Sequence, residues 1–203
     1  FSSLLLGTTL VMIEKNSPAF LRNFFLPIRR INFIISIYIT NVILNLIEIT
    51  VILGISLFFL KDSLSVLPTV ALILFMAGSV FTFIGMTIGY LFTSEETGVL
   101  ASISIGSILL FTSGVLLPLE GISPVLRNVM NYNPFVIAEK LVREVFIFNA
   151  SITTIISEFA LLVIYTVVLF LVIWMIESFL HQQLSHRFLR KHHNIAKVRK
   201  EKK

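Results

Sequence analysis

From Ile31 to Leu60 the chain is an almost unbroken run of hydrophobic residues, and no other feature restricts its folding as much. At 1.5 Å per residue a helix of that length crosses about 30 Å of hydrocarbon, with room for a tilt or an interfacial first turn. Further runs extend from Pro68 to about Phe92, from about Val99 to Leu117, and from about Ile156 to Phe179. Inside a bilayer the backbone must satisfy its own polar groups, so each run is expected to be helical. The fold class is therefore an all-α, polytopic membrane helical bundle. A hydrophobic share of 56%, a charged share of 13% and a mean hydropathy of +0.95 exclude an ordinary water-soluble domain. Phe1 to Ile13 is apolar but shorter than the roughly 20 residues a spanning helix needs. We expect it to be the end of a helix that begins before Phe1, making about five spans, one of them partial.

The segments between the runs carry the polar residues. Glu14 to Arg30 holds Glu14, Lys15, Arg22, Arg29 and Arg30, yet keeps Phe20, Leu21, Phe24 and Phe25 as an apolar stripe opposite Arg22 and Asn23. This pattern predicts a short amphipathic helix at a membrane surface or in a partner's groove. Its plainer alternative is a loop resting on lipid headgroups. Lys61-Asp62-Ser63 is a tight turn, and Pro68 suits a first helical turn, where its absent N–H costs nothing. Ser94, followed by Glu95 and Glu96, suits a helix N-terminus, where acids face the positive end of the dipole.

Residues 118–154 are too polar for a simple span and too apolar for a flexible loop. Ser123-Pro124 and Asn133-Pro134 each pair an N-cap with a first-turn proline, which predicts two short external, re-entrant helices. On the second, Glu139 with Arg143 and Lys140 with Glu144 form i,i+4 pairs, opposite Ile137, Leu141, Val145 and Phe148. Orientation follows from Lys and Arg: of 16 in all, only Lys61, Arg127, Lys140 and Arg143 lie outside the Glu14–Arg30 stretch and the tail beyond His181. The stretch, the Glu95 turn and the tail are thus expected in the cytosol, in the plasma membrane of the cell. Residues 1–180 form the membrane domain and 181–203 a basic cytoplasmic tail.

Tyr38, Asn41, Asn45 and Glu48 share one face of the first full span, with Glu48 near mid-membrane. They are either the wall of a substrate path or a set of inter-helix hydrogen bonds. Gly78, Thr82, Gly85 and Gly89 form a small-residue stripe best read as close helix packing. Asn149-Ala150-Ser151 matches a glycosylation tripeptide, a weak signal. His181, His186, His192 and His193 lack the partners of a metal site and belong to a solvated or lipid-facing tail. With no cysteine, thiolate metal sites, disulfides and cysteine nucleophiles are excluded. The sequence also has no phosphate-binding Gly-x-x-x-x-Gly-Lys-Ser/Thr loop, no His-Glu-x-x-His and no Gly-x-Ser-x-Gly.

Taken together, these segments resemble the type-2 family of ABC exporter permeases. Glu14-Lys15 with the amphipathic run and Leu26-Pro27-Ile28 is similar to the family's cytoplasmic segment. Gly89-Tyr90-Leu91-Phe92 with Ser94-Glu95-Glu96 is similar to its cytoplasmic turn. The most specific likeness is the series Leu116-Leu117-Pro118-Leu119, Ser123-Pro124-Val125-Leu126-Arg127, Asn133-Pro134-Phe135 and Leu141-Val142-Arg143. The likeness covers nearly the whole chain, but Asn16-Ser17-Pro18 stands where many members have a glycine, and the tail is longer and more basic.

The resemblance implies six spans, of which the end of the second through the sixth are present. It implies no catalysis and no cofactor in this chain, with ATP and Mg held by a separate ABC ATP-binding subunit, and a second permease copy in the same bilayer. Glu14, Lys15, Phe20, Leu21, Arg22, Phe24 and Phe25 would couple to that ATPase, and Pro118, Asn133, Pro134 and Arg143 would belong to an external gate. Drugs, lipids and lipid-linked glycans all suit so apolar a path; nucleic acid is not expected. Two other functions compete: a membrane scaffold recruiting partners through its basic tail, and a secondary transporter using Glu48 as a proton site.

Overall fold

The computed structural model describes residues 1–17, 30–59, 66–114, 128–148, 150 and 152–201. It contains six main helices: α1 (Ser2–Asn16), α2 (Arg30–Phe59), α3 (Leu67–Leu91), α4 (Glu95–Phe111), α5 (Pro134–Phe148) and α6 (Ile152–Glu201). A further helical turn occupies 128–130, and no strand occurs among the described residues. Helices α2, α3 and α6 each contain a stretch long and apolar enough to cross a membrane: Ile34–Leu57, Leu67–Leu91 and Thr153–Phe179. The chain is an all-α membrane helical bundle. Helix α4 has 17 residues, about 25 Å of rise, and so falls short of a full span over its described part.

The helix boundaries follow the expected punctuation closely. Pro68 lies in the first turn of α3. Ser94 is the N-cap residue of α4 with Glu95 and Glu96 in its first turn, although its own hydroxyl makes no capping bond. The acids and the extended backbone of Ser94 mark that boundary, with Thr97 Oγ1 donating to the Ser94 carbonyl at 2.9 Å. Helix α4 ends at Phe111 and not at the expected Leu117, and two further boundaries differ from expectation. Helix α1 does not stop at the polar break but continues through Glu14 and Lys15 to Asn16. Helix α6 runs 50 residues without interruption, so the backbone of the basic tail extends the last span as far as Glu201.

Helix α3 is the hub, touching α1, α2, α4, α5 and α6. Its two ends are buried in different clusters. Near its start, Val70 and Ile73 pack with Ile137, Leu141 and Val145 of α5 and Ile155 and Leu162 of α6. Toward its end, Met86 and Tyr90 pack with Val11 of α1, Ile34 and Ile37 of α2, and Ile173 of α6. Helices α1 and α3 run parallel, because Leu4 and Thr8 meet Gly85 while Val11 meets Gly89. The C-termini of α1 and α3 and the N-terminus of α4 thus share one end of the bundle, and α5 packs at the other. On the outer surface Ile43, Ile47, Val51 and Ile55 of α2, and Val167, Val168, Leu171 and Met175 of α6, are exposed. Such faces suit hydrocarbon and would be untenable in water.

Candidate functional site

The tightest part of the bundle is the contact between α1 and α3, and glycine makes it possible. A methyl group on Gly85 would overlap the Leu4 carbonyl oxygen, and one on Gly7 would lie 2.5 Å from the Thr82 carbonyl oxygen. Backbones at that separation bring polar groups of one helix within reach of the next. Thr8 Oγ1 lies 2.8 Å from the Gly85 carbonyl oxygen and 2.5 Å from Ser102 Oγ of α4, a single hydroxyl that holds three helices together. Thr8 and Ser102 are fully buried. In hydrocarbon such groups have no water to turn to, so each bond fixes the register of the helices it joins.

Helix α2 joins this unit through the polar face seen in the sequence. Tyr38 Oη lies 2.9 Å from Ser79 Oγ of α3 and stacks on Phe83 with ring centroids 4.7 Å apart. Ser3 of α1 donates to Asn45 Oδ1 at 3.4 Å, and the Asn45 amide covers Gly78, where a Cβ would have no room. Ser2 donates to Glu48 Oε2 at 2.7 Å. Asn41 is buried, its amide reaching the Ile37 carbonyl of its own helix at 3.3 Å while Oδ1 has no partner. Tyr38, Asn45 and Glu48 thus make inter-helix bonds, and among these four residues Asn41 keeps an acceptor without a partner.

At the end shared by α1 and α3, Lys15 turns back onto α3. Its Nζ donates to the carbonyls of Gly89 at 3.0 Å, Tyr90 at 3.3 Å and Phe92 at 2.7 Å. The last carbonyls of a helix have no intrahelical donor and carry the negative end of its dipole, so an ammonium group is the fitting cap. Burial holds the Lys15 ammonium below the ordinary lysine range. Glu14 lies beside it, half-buried in the last turn of α1. Phe20, Leu21, Arg22, Phe24 and Phe25 lie outside the described residues.

At the opposite end Asn133 is the organising residue. Its Oδ1 accepts from the Phe135 N–H at 2.9 Å, the N-cap bond of α5, and its Nδ2 donates to the Leu109 carbonyl at 2.6 Å and to Thr112 Oγ1 at 3.0 Å. One side chain thus starts α5 and ties it to the end of α4. Pro134 is the first residue of α5 and is buried. Ile137, Leu141 and Val145 are buried as expected, but Phe148 is 72% exposed, because the helix ends there and its ring projects past the cluster. Arg143 pairs with Glu139 on the exposed face. Lys140 prefers Glu158 of α6 at 2.8 Å to Glu144 at 3.9 Å, and the bond to Glu158 raises its pKa. Pro118, Ser123-Pro124 and Lys61-Asp62-Ser63 lie outside the described residues, as do Asn149 and Ser151.

The model of the ABC-2 type transporter membrane family matches residues 1–147. The chain belongs to that family. No curated protein and no solved structure matches it. As an ABC-2 type membrane domain it is a permease, the transmembrane component of an ABC transporter, a class whose ATP-binding partner is a separate subunit or domain. Sequence reasoning found the polar face of α2, the glycine stripe and the α5 cap. Thr8 and Ser102 escaped it, since α1 stood only as a span remnant and one hydroxyl in an apolar run has no pattern of its own. The sequence places Lys15 in the segment expected to couple to a partner, and the parallel course of α1 and α3 sets its ammonium against carbonyls 74 or more residues away.

Proposed function

We propose that this chain is the permease subunit of an ATP-driven exporter, moving an apolar or amphipathic substrate outward with energy from a separate ATP-binding subunit that holds ATP and Mg. The family match over residues 1–147 is the observation that supports this most directly. Two features agree with it. The chain's excess of Lys and Arg around Glu14–Arg30 and in the tail points to a cytosolic face for those segments. The same end of the bundle gathers the termini of α1, α3 and α4, where a cytosolic motor would push. Residues 18–29 would dock on the ATPase through Phe20, Leu21, Phe24 and Phe25, with a second permease copy completing the path. Coupling then needs only that ATP-bound and ATP-free states differ in their contacts with that segment. At the outer end Asn133, Pro134 and the α5 helix would form part of the external gate.

The test is purification from native membranes in mild detergent, with mass spectrometry of whatever accompanies the chain. An ATP-binding subunit is expected to co-purify with the unaltered chain and to be lost from Phe24→Asp, because a carboxylate desolvated in an apolar groove costs several kcal/mol, on the order of 3 or more. A chain that purifies without any nucleotide-binding protein would refute the exporter reading.

A further inference from the structure

We propose that Lys15 is a positioning residue that locks α1, α3 and the start of α4 into one rigid block at the motor-facing end, so that a push on residues 14–30 moves these three helices together. The inference rests on the permease reading and adds to it the identity of the moving unit. If the push reached the membrane only along the chain, it would enter α1 through Asn16 and α2 through Arg30, and α3 and α4 would be left behind. Lys15 closes a second route, because it stands at the start of the pushed segment and holds the far end of α3 by three carbonyls.

Three observations make the block rigid. Donors to Gly89, Tyr90 and Phe92 grip both the last turn of α3 and the first residue beyond it, so the grip covers the joint into α4 and not only the helix end. One helical turn or two deeper, Thr8 bonds to the Gly85 carbonyl and to Ser102, repeating the α1–α3–α4 connection. Gly89 meets Val11 between these points, and Gly7 and Gly85 interlock the two backbones at and beyond Thr8, where neither helix can slide without collision. By contrast, α2 meets the block at this end through Ile34 and Ile37, packed in an apolar cluster, and its hydrogen bonds to α1 and α3 through Tyr38, Asn45 and Glu48 lie farther from this end. Apolar contacts resist separation but tolerate small sliding, whereas three hydrogen bonds to one ammonium hold direction as well as distance.

The chain contains no cysteine, so paired spin labels can be introduced without removing native thiols. The experiment uses the purified complex with its ATP-binding subunit in nanodiscs, labelled at Ile13→Cys and Thr93→Cys, both exposed positions. Electron–electron distances are recorded without nucleotide and with ATP-Mg in a hydrolysis-arrested complex. For the unaltered lysine we expect one narrow 13–93 distance, unchanged between the two states. Lys15→Met keeps an unbranched side chain one atom shorter and without donors; it is expected to broaden the distribution, make it nucleotide-dependent, and raise amide hydrogen exchange at residues 89–92 about tenfold. Lys15→Arg, which keeps the charge, is expected to restore the narrow distance in large part. A 13–93 distance that shifts with ATP in the unaltered chain, or a Lys15→Met variant with the same distances and exchange as the unaltered chain, would overturn the block while leaving the permease reading intact. A complex without any ATP-binding subunit would remove both.

Discussion

The buried polar side chains of this bundle differ in what each would cost to remove, and the difference lies in how many partners each has. Asn133 has three: the Phe135 N–H, the Leu109 carbonyl and Thr112 Oγ1. Asn133→Ala deletes an N-cap and the two bonds that tie α5 to the end of α4, where the Thr112 hydroxyl and the Leu109 carbonyl keep only their contacts within α4, so the thermal midpoint of the purified protein should fall by the equivalent of about 2 kcal/mol. Asn133→Asp keeps the cap and loses the two donor bonds, and should fall in between. Asn41 is the opposite case. It is 2% exposed, yet its carbonyl oxygen is unpartnered and its amide makes one long bond within its own helix. Replacing a poorly satisfied buried amide by an apolar side chain of similar volume is near neutral or stabilising, so Asn41→Leu should change stability by less than about 1 kcal/mol. All three variants are read by the same melting experiment. A large loss for Asn41→Leu would mean that Oδ1 is satisfied by something bound at that position, which would return Asn41 to the candidate path residues.

At the scale of helices, the packing of α1 on α3 depends on backbone approach and not on side-chain volume. Gly85→Ala forces a methyl against the Leu4 carbonyl, whereas Gly54 of α2 has nothing within 4 Å of an added Cβ. The first substitution should destabilise by about 2 to 3 kcal/mol through overpacking. The second should be neutral or gain about 0.5 kcal/mol from reduced backbone freedom in the unfolded chain. Equal effects in the two variants would show that α1 does not approach α3 this closely. These helices were largely legible in the sequence, for physical reasons that also explain the failures. Pro68, Ser94-Glu95-Glu96 and Asn133-Pro134 are local signals, and the helix starts they mark are the ones observed, whereas apolar length alone overran the end of α4 and stopped short of the end of α6. The spacing of Gly78, Thr82, Gly85 and Gly89 announced a close contact but not which helix would fill it, since a stripe specifies a face and not a partner. The C-terminus of α1 was misplaced because Glu14-Lys15 looks like a solvated start of a surface helix, while its real stabilisation comes from the carbonyls at the end of α3. Phe148 was placed on the buried face by its spacing alone, and the end of α5 leaves it outside.

Over the whole molecule, the arrangement fixes which segments must emerge together, and this can be tested without knowing the substrate. Lys15 binds the α1 terminus to the turn before α4, so Ser94 and the Glu14 stretch have to lie on the same side of the bilayer. Tyr132 is at the other end, because its carbonyl accepts from Tyr165 Oη at 2.8 Å and the adjacent Asn133 is tied to the last turn of α4. Helix α4 separates the two sites by its 17 residues, a rise of about 25 Å. On the orientation proposed from the distribution of Lys and Arg, the Ser94 side faces the cytosol. Single cysteines at Ser94 and Tyr132, both exposed positions of a cysteine-free chain, should therefore react with a membrane-impermeant maleimide in opposite patterns. In intact cells Tyr132→Cys is expected to label and Ser94→Cys to remain protected until the membrane is opened. The reverse pattern would invert the bundle and place residues 14–30 out of reach of any cytosolic ATPase. Labelling of both from outside would mean that α4 and its neighbours do not separate the two aqueous compartments, and the bundle could not act as a gated path.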